Sequence, residues 1–367
     1  MDATTLNNLR DKVNSGTRIS LDEARELYYE KDLLFLGELA RSVKVRKTNL
    51  QVFFNVNRHI NLTNVCLSRC KFCAFGCDEN DPGAYTMTLE EVLNTGRDLP
   101  PHITELHIVS ALHPHLPFDY YLEVIRGLKE INPEVHLQAF TAVEIDYFSQ
   151  ISGLSLEEVF KSLMEAGLGS LPGGGAEVFS PRVREAICSR KASGERWLEI
   201  METAHSLGLK TNATMLYGHI ETMEERLDHL IKLRSLQDRT GGFQSFIPLP
   251  FHPHNTELSH LKRTTGYEDL KMIALSRLIL DNFPHIKAFW IMLGIPLAQL
   301  SLHFGADDLD GTVVEERITH AAGAQTEQGI SRENLIKLIQ EAGYVPVERD
   351  TLYNIIEVYG EEDGLAP

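Results

Sequence analysis

Four boxes of the form S/T-x-x-E constrain what this chain can fold into: Ser20-Leu-Asp-Glu23, Thr88-Leu-Glu-Glu91, Ser155-Leu-Glu-Glu158 and Thr222-Met-Glu-Glu225. In each, a hydroxyl and a carboxylate satisfy free amides in the first turn of a helix. The last three follow apolar or β-branched runs at residues 52–62, 136–142 and 211–217. Further strand candidates are 105–111, 167–171, 243–249 and 287–293. Strands alternating with amphipathic helices indicate parallel βαβ units. Seven or eight such units in one chain predict an α/β fold, a (β/α)8 TIM-type barrel, with a doubly wound sheet as the alternative. Residues 1–50 read as an N-terminal helical extension, 51–320 as the barrel and 321–367 as a C-terminal helical extension. In the last of these, Ser331 is the cap of a helix and Gly343 its stop.

Charge and composition exclude several classes of partner. The formal net charge is −17. That argues against nucleic acid and anionic membrane, both of which are bound through basic surface. Residues 1–18 lack the apolar stretch of a signal peptide, and no run reaches the ~20 apolar residues of a membrane span. Three of the five cysteines share one short loop, which is no disulfide framework. A reducing cytoplasm is the expected location.

That loop reads Cys66-Leu-Ser-Arg-Cys70-Lys-Phe72-Cys73, a CxxxCxxC spacing with an aromatic residue before the third cysteine. A zinc site would need a further ligand from elsewhere. Three thiolates can instead hold three irons of a 4Fe-4S cluster, leaving the fourth iron to a ligand that is not protein. This is the pattern of radical S-adenosylmethionine (SAM) enzymes. A structural metal clip or three incidental thiols are the plainer alternatives.

In a barrel, chemistry sits at the C-terminal ends of the strands. The cysteine loop follows the first strand, and Ser110-Ala-Leu-His113-Pro ends the second. Pro172-Gly-Gly-Gly-Ala-Glu177 ends the fourth, Tyr217-Gly-His-Ile-Glu221 the fifth, and Pro248-Leu-Pro-Phe-His252-Pro the sixth. Any one of these is compatible with an ordinary βα turn. Five on one rim, one of them carrying the cysteines, favour a site.

Several longer stretches resemble one family: Asn57-Arg-His-Ile-Asn-Leu-Thr-Asn-Val-Cys66, Ala139-Phe-Thr-Ala-Val-Glu-Ile145, Gly167-Leu-Gly-Ser-Leu-Pro-Gly-Gly-Gly-Ala-Glu-Val-Phe179, Thr211-Asn-Ala-Thr-Met-Leu-Tyr-Gly-His-Ile-Glu-Thr222 and Gly305-Ala-Asp-Asp-Leu-Asp-Gly-Thr312. They are similar to the aminofutalosine synthases, radical SAM enzymes of the futalosine route to menaquinone. Ala111 and Pro250 depart from the pattern, where glycine and alanine are expected, and bear on pocket shape. Cyclic dehypoxanthine futalosine synthase and the FO synthase subunit are the nearest alternatives, with the same cysteines.

The resemblance implies one 4Fe-4S cluster on Cys66, Cys70 and Cys73, with SAM consumed as a co-substrate. A flavodoxin- or ferredoxin-type reductant would supply the electron. The 5′-deoxyadenosyl radical would add to 3-[(1-carboxyvinyl)oxy]benzoate, with rearrangement and loss of bicarbonate, to give 6-amino-6-deoxyfutalosine. Phe72, Ser110, Glu177, Tyr217 and Glu221 are then the candidates for cofactor contact, Glu177 for the SAM ribose. The substrate has two carboxylates, so cations are expected at the rim. Arg58, Arg182, Arg184 and Lys191 lie in or just after matching loops, and Arg184 is the first choice. His113 and His252 are candidates for substrate contact or proton transfer. Cys77 and Cys188 are expected not to be cluster ligands.

Overall fold

A computed structural model describes residues 3–360. All four boxes open helices, at Leu21–Tyr29, Leu89–Arg97, Leu156–Ala166 and Met223–Thr240, with both reciprocal hydrogen bonds made in each. A fifth, Thr141-Ala-Val-Glu144, was not singled out in the sequence and caps the helix Ala142–Ser152.

The run 52–62 divides into two strands, β1 (Gln51–Asn55) and β2 (Asn57–Ile60), which belong to different sheets. From β2 the chain forms β3 (Glu105–Ile108), β4 (His136–Ala139), β5 (Ser170–Leu171), β6 (Lys210–Tyr217), β7 (Phe243–Pro250) and β8 (His285–Ile286). These make one seven-stranded sheet in sequential order, with every pairing parallel. The later strands β9 (Asp308–Gly311), β10 (Val345–Arg349) and β11 (Ile355–Val358) join β1 in a second sheet of order β11-β10-β1-β9.

The expected α/β barrel is therefore present with seven strands in its sheet rather than eight. The gap between β8 and β2 is spanned by the segment that begins with β9. Lys287 bridges Asp308 on one side, and Arg58 bridges Val314 on the other. The amide of Ala288 donates to Asp308 O at 2.8 Å, and that of His59 to Val314 O at 2.9 Å.

Two expectations need correction. Residues 287–293 are not a strand: β8 ends at Ile286, and Trp290–Leu293 is a short helix whose indole Nε1 donates to Gly311 O at 2.9 Å. A brief apolar run has no periodicity that separates the two states. The C-terminal segment is not wholly helical. Ser331 does cap the helix Arg332–Glu341, and Gly343 follows its end at φ 78°. Beyond it come β10 and β11, where β-branched Val345 and Val347 flank Pro346 and favour extended backbone. Residues 361–367 of that segment lie outside the described residues.

The N-terminal helices Leu21–Tyr29 and Leu33–Thr48 pack against the helix Gly266–Ile279. Lys44 is fully buried at this junction, with Nζ donating to Leu302 O at 3.0 Å and lying over the Tyr344 ring. Charged pairs hold the segment joining the two sheets. Arg277 meets Asp307 at 2.5 Å and Arg349 meets Asp308 at 2.6 Å, all four side chains nearly inaccessible. Among the described residues, no helix is long and apolar enough to cross a membrane.

Candidate active site

The C-terminal ends of the seven strands surround a cavity of about 520 Å³. Cys66, Cys70 and Cys73 all line it, on the loop that leaves β2. The loop is anchored by its backbone: Cys66 N donates to Cys77 O at 3.0 Å, Leu67 N to Leu112 O at 2.9 Å, and Lys71 N to Ile187 O at 2.9 Å. Gly76 lets it close on itself, since a Cβ there would lie 3.2 Å from Cys66 Cβ and 3.9 Å from the sulfurs of both Cys66 and Cys73. Burial pushes the Cys70 thiol up to about 12, a penalty that ligation by iron removes because the metal charge stabilises the thiolate. The three sulfurs suit a cluster held at three corners. Cys77 and Cys188 do not line the cavity. Cys77 Sγ lies 3.5 Å from Asn64 O, and Cys188 is buried in the helix Pro181–Cys188.

The glycine loop after β5 forms another part of the wall. At Gly173 a Cβ would lie 2.7 Å from Ala213 Cα, so only glycine allows this loop to press against β6. The loop ends at Glu177, buried and held in the left-handed region at φ 44°. Its carboxylate meets Lys191 Nζ at 2.7 Å. Burial alone would raise the Glu177 pKa, but Lys191 holds it below the usual carboxylate range. Lys191 also lies 5.1 Å above the centre of the Phe72 ring, which ties the glycine loop to the cysteine loop.

Of the remaining candidates, Phe72, Ser110 and His252 line the cavity. The Ser110 hydroxyl is buried with no hydrogen-bond partner. The Ser110 amide donates to Glu144 Oε1 at 2.8 Å. Glu144 also lines the cavity, and burial pushes its carboxyl up to about 7. His252 is buried, with Nε2 on Met292 O at 2.9 Å.

Arg184, His113, Tyr217 and Glu221 do not line the cavity. Arg184 is buried behind the glycine loop, donating to the carbonyls of Ala176 (2.7 Å), Gly175 and Ala192. It holds the loop in place instead of meeting a ligand. His113 Nδ1 accepts from the His115 amide at 3.1 Å, while its carbonyl accepts from Tyr147. Tyr217 donates to Asp269 at 2.8 Å. Glu221 accepts from the amides of Gly218 and His219 and pairs with Arg226 at 2.7 Å. These bonds tie all four to the frame of the rim. Arg182 is exposed and pairs with Glu225, and Arg58 faces a smaller outer cleft, where it pairs with Glu315.

Below the rim, side chains that sequence reasoning did not single out point into the barrel. His59, His107, Gln138, Asn212, Lys287 and Asp310 all line the cavity. The signal available was the period of two itself, with polar Asn57, His59 and Asn61 at every second position of the run and so on one side of it.

A barrel of parallel strands whose first rim loop carries three cysteines at the mouth of a deep cavity defines a radical SAM enzyme. The chain matches the family model for the radical SAM superfamily over residues 60–233, and that for the CofH/MqnC C-terminal region over residues 240–361. It belongs to the aminodeoxyfutalosine synthase family. It is 48% identical to the aminodeoxyfutalosine synthase of Thermus thermophilus over 96% of each chain. It is 46% identical to that of Streptomyces coelicolor over 99% of this chain and 97% of the relative. The fold is similar to methylornithine synthase, with a TM-score of 0.74 at 18% identity, covering 92% of this chain and 97% of that one. Family membership brings a 4Fe-4S cluster on Cys66, Cys70 and Cys73, and SAM.

Proposed function

We propose that this enzyme joins the 5′-deoxyadenosyl group of SAM to the vinyl CH2 of the enol-ether double bond of 3-[(1-carboxyvinyl)oxy]benzoate. Rearrangement onto the aromatic ring and loss of bicarbonate then give 6-amino-6-deoxyfutalosine. What supports this reading is a single cavity that runs from the three cysteines, past the glycine loop, to polar side chains inside the barrel. Both reactants can be held in one enclosure.

SAM cleaved reductively at the cluster supplies the adenosyl radical, so the protein contributes position and exclusion of water. Glu177 stays ionised and would accept hydrogen bonds from the ribose hydroxyls, while the Gly173–Gly175 backbone, free of side chains, would admit the adenosyl group beside it. Ser110, with its unpartnered hydroxyl, offers a further hydrogen bond. Ile247, Leu249, Phe251, Phe289 and Met292 line the far wall and hold the arene, which brings the alkene within attack distance of the radical carbon. His252 keeps one ring nitrogen on Met292 O, leaving the other for substrate. The electron comes from a flavodoxin- or ferredoxin-type reductant in a reducing cytoplasm.

The test is anaerobic incubation of reconstituted protein with SAM, a reductant and the enol ether. Adenosylated product should form in step with SAM consumption. Release of 5′-deoxyadenosine in its place would mean hydrogen abstraction, the chemistry of the cyclic dehypoxanthine futalosine and FO synthases.

A further inference from the structure

We infer that Lys287 and His59, deep in the barrel, form the subsite for the ring carboxylate of the substrate; this rests on the reading above. The two residues flank the closing segment between β8 and β2, since Lys287 bridges Asp308 and the neighbour of His59 bridges Val314. Asp310 lies between those bridges. Its carboxylate meets Lys287 Nζ at 2.8 Å. Among the described residues this is the one hydrogen bond that the Lys287 ammonium makes, so two of its three N–H donors remain for a ligand.

His59 is oriented by its neighbours. Its ring stacks on that of His107 at 4.4 Å and 16°, and His107 Nδ1 lies 3.5 Å from Glu105 Oε1. The side-chain amides of Asn55 and Asn57 donate to the same Glu105 carboxylate at 3.0 and 3.4 Å. His59 Nε2, by contrast, is buried with no partner. Such an atom carries a desolvation cost that a ligand would relieve. Burial pushes the His59 pKa down to about 4, so near neutral pH the ring is uncharged and keeps one N–H.

The other Lys and Arg side chains lining the cavity are already committed near the rim. Arg69 lies 3.6 Å from Asp78 and 3.7 Å from Asp81, and Lys191 pairs with Glu177. Of the Lys and Arg side chains that line the cavity among the described residues, Lys287 is the one inside the barrel, on the strand side away from the cysteine loop. The chemistry sets the orientation of the substrate: its vinyl CH2 must face the adenosyl carbon beside the cluster. The ring carboxylate, meta to the ether, then sits on the far part of the arene, within the barrel on the side of Lys287.

The experiment is equilibrium dialysis on the reconstituted enzyme with SAM present and no reductant, so that nothing turns over. The ligands are the substrate and 2-phenoxyacrylate, which lacks the ring carboxylate. Wild type should bind the analogue roughly ten- to a hundredfold more weakly, as expected for losing a charged hydrogen bond. The Lys287→Met/Asp310→Asn double variant, which removes both charges together, should bind the two ligands alike with SAM affinity unchanged. His59→Gln should narrow the difference by severalfold. Equal binding of both ligands by wild type overturns the subsite without needing any variant, as does full discrimination in the double variant. A wild-type enzyme that makes no adenosylated product overturns instead the functional reading beneath it.

Discussion

Lys191 Nζ lies 2.7 Å from Glu177 Oε1, joining the segment after the helix Pro181–Cys188 to the end of the glycine loop. Both side chains are largely out of solvent, at 17% and 9% exposure. The pair therefore does two things at once: it neutralises a buried charge, and it keeps a carboxylate ionised at the cavity wall. These roles separate experimentally. Glu177→Gln leaves Lys191 uncompensated and should cost about 3 kcal/mol of stability, together with at least tenfold in SAM affinity. In Glu177→Gln/Lys191→Met neither partner carries a charge, so the melting temperature should recover while SAM affinity does not. Recovery of both in calorimetric titration would show that Glu177 only supports the fold.

Cys70→Ala should yield a protein that cannot retain a four-iron cluster and does not turn over. Cys77→Ser/Cys188→Ser should keep about four irons and most of its activity. Iron and sulfide content after anaerobic reconstitution checks both. Loss of the cluster from the double variant would place one of those thiols on iron.

Arg184 separates loop bracing from substrate binding. Arg184→Met abandons the carbonyls of Gly175, Ala176 and Ala192 and should destabilise the protein by about 2–4 kcal/mol. SAM affinity should fall with it, because the glycine loop shifts. Substrate affinity at saturating SAM should stay within about twofold. A selective loss of substrate affinity with unchanged melting temperature would return Arg184 to the role the sequence suggested.

His229 makes stability depend on pH. It is fully buried, stacked on Phe179 at 4.0 Å, and donates from Nε2 to Thr214 O at 2.9 Å. Burial pushes its pKa down to about 3 from an ordinary value near 6.5. A base depressed in the folded state contributes stability that is present above the unfolded pKa and is lost as pH falls from about 6.5 toward 3. Between pH 7 and pH 5 this one group should cost about 2 kcal/mol. His229→Gln, which keeps a donor for Thr214, should lose correspondingly less over that interval. Parallel urea titrations of the two proteins at both pH values measure the difference, and equal slopes would refute the assignment.

Much of this molecule was legible before folding, because the signals were local. A capping box needs only residues three apart, and all four announced helices are present. Cys66, Cys70 and Cys73 are close in sequence, so one loop gathers them whatever the rest of the chain does. The glycine loop was legible as three consecutive glycines; Gly175 meets a local need at φ 81°, whereas Gly173 makes room for Ala213 on β6, a partner the sequence does not name.

What only the tertiary structure decided depends on partners distant in sequence. Arg184, His113, Tyr217 and Glu221 have residue types that serve equally as ligands or as braces, and their neighbours made them braces. The split of residues 51–60 between two sheets required β10, nearly three hundred residues later, to pair with β1. The interior of the barrel came from the same long-range closure. His59, His107, Lys287 and Asp310 share one wall because the segment that begins with β9 fits between β8 and β2. No local pattern specifies that meeting, since it is fixed by parallel pairing across the whole chain and by the burial of charged groups that must find one another.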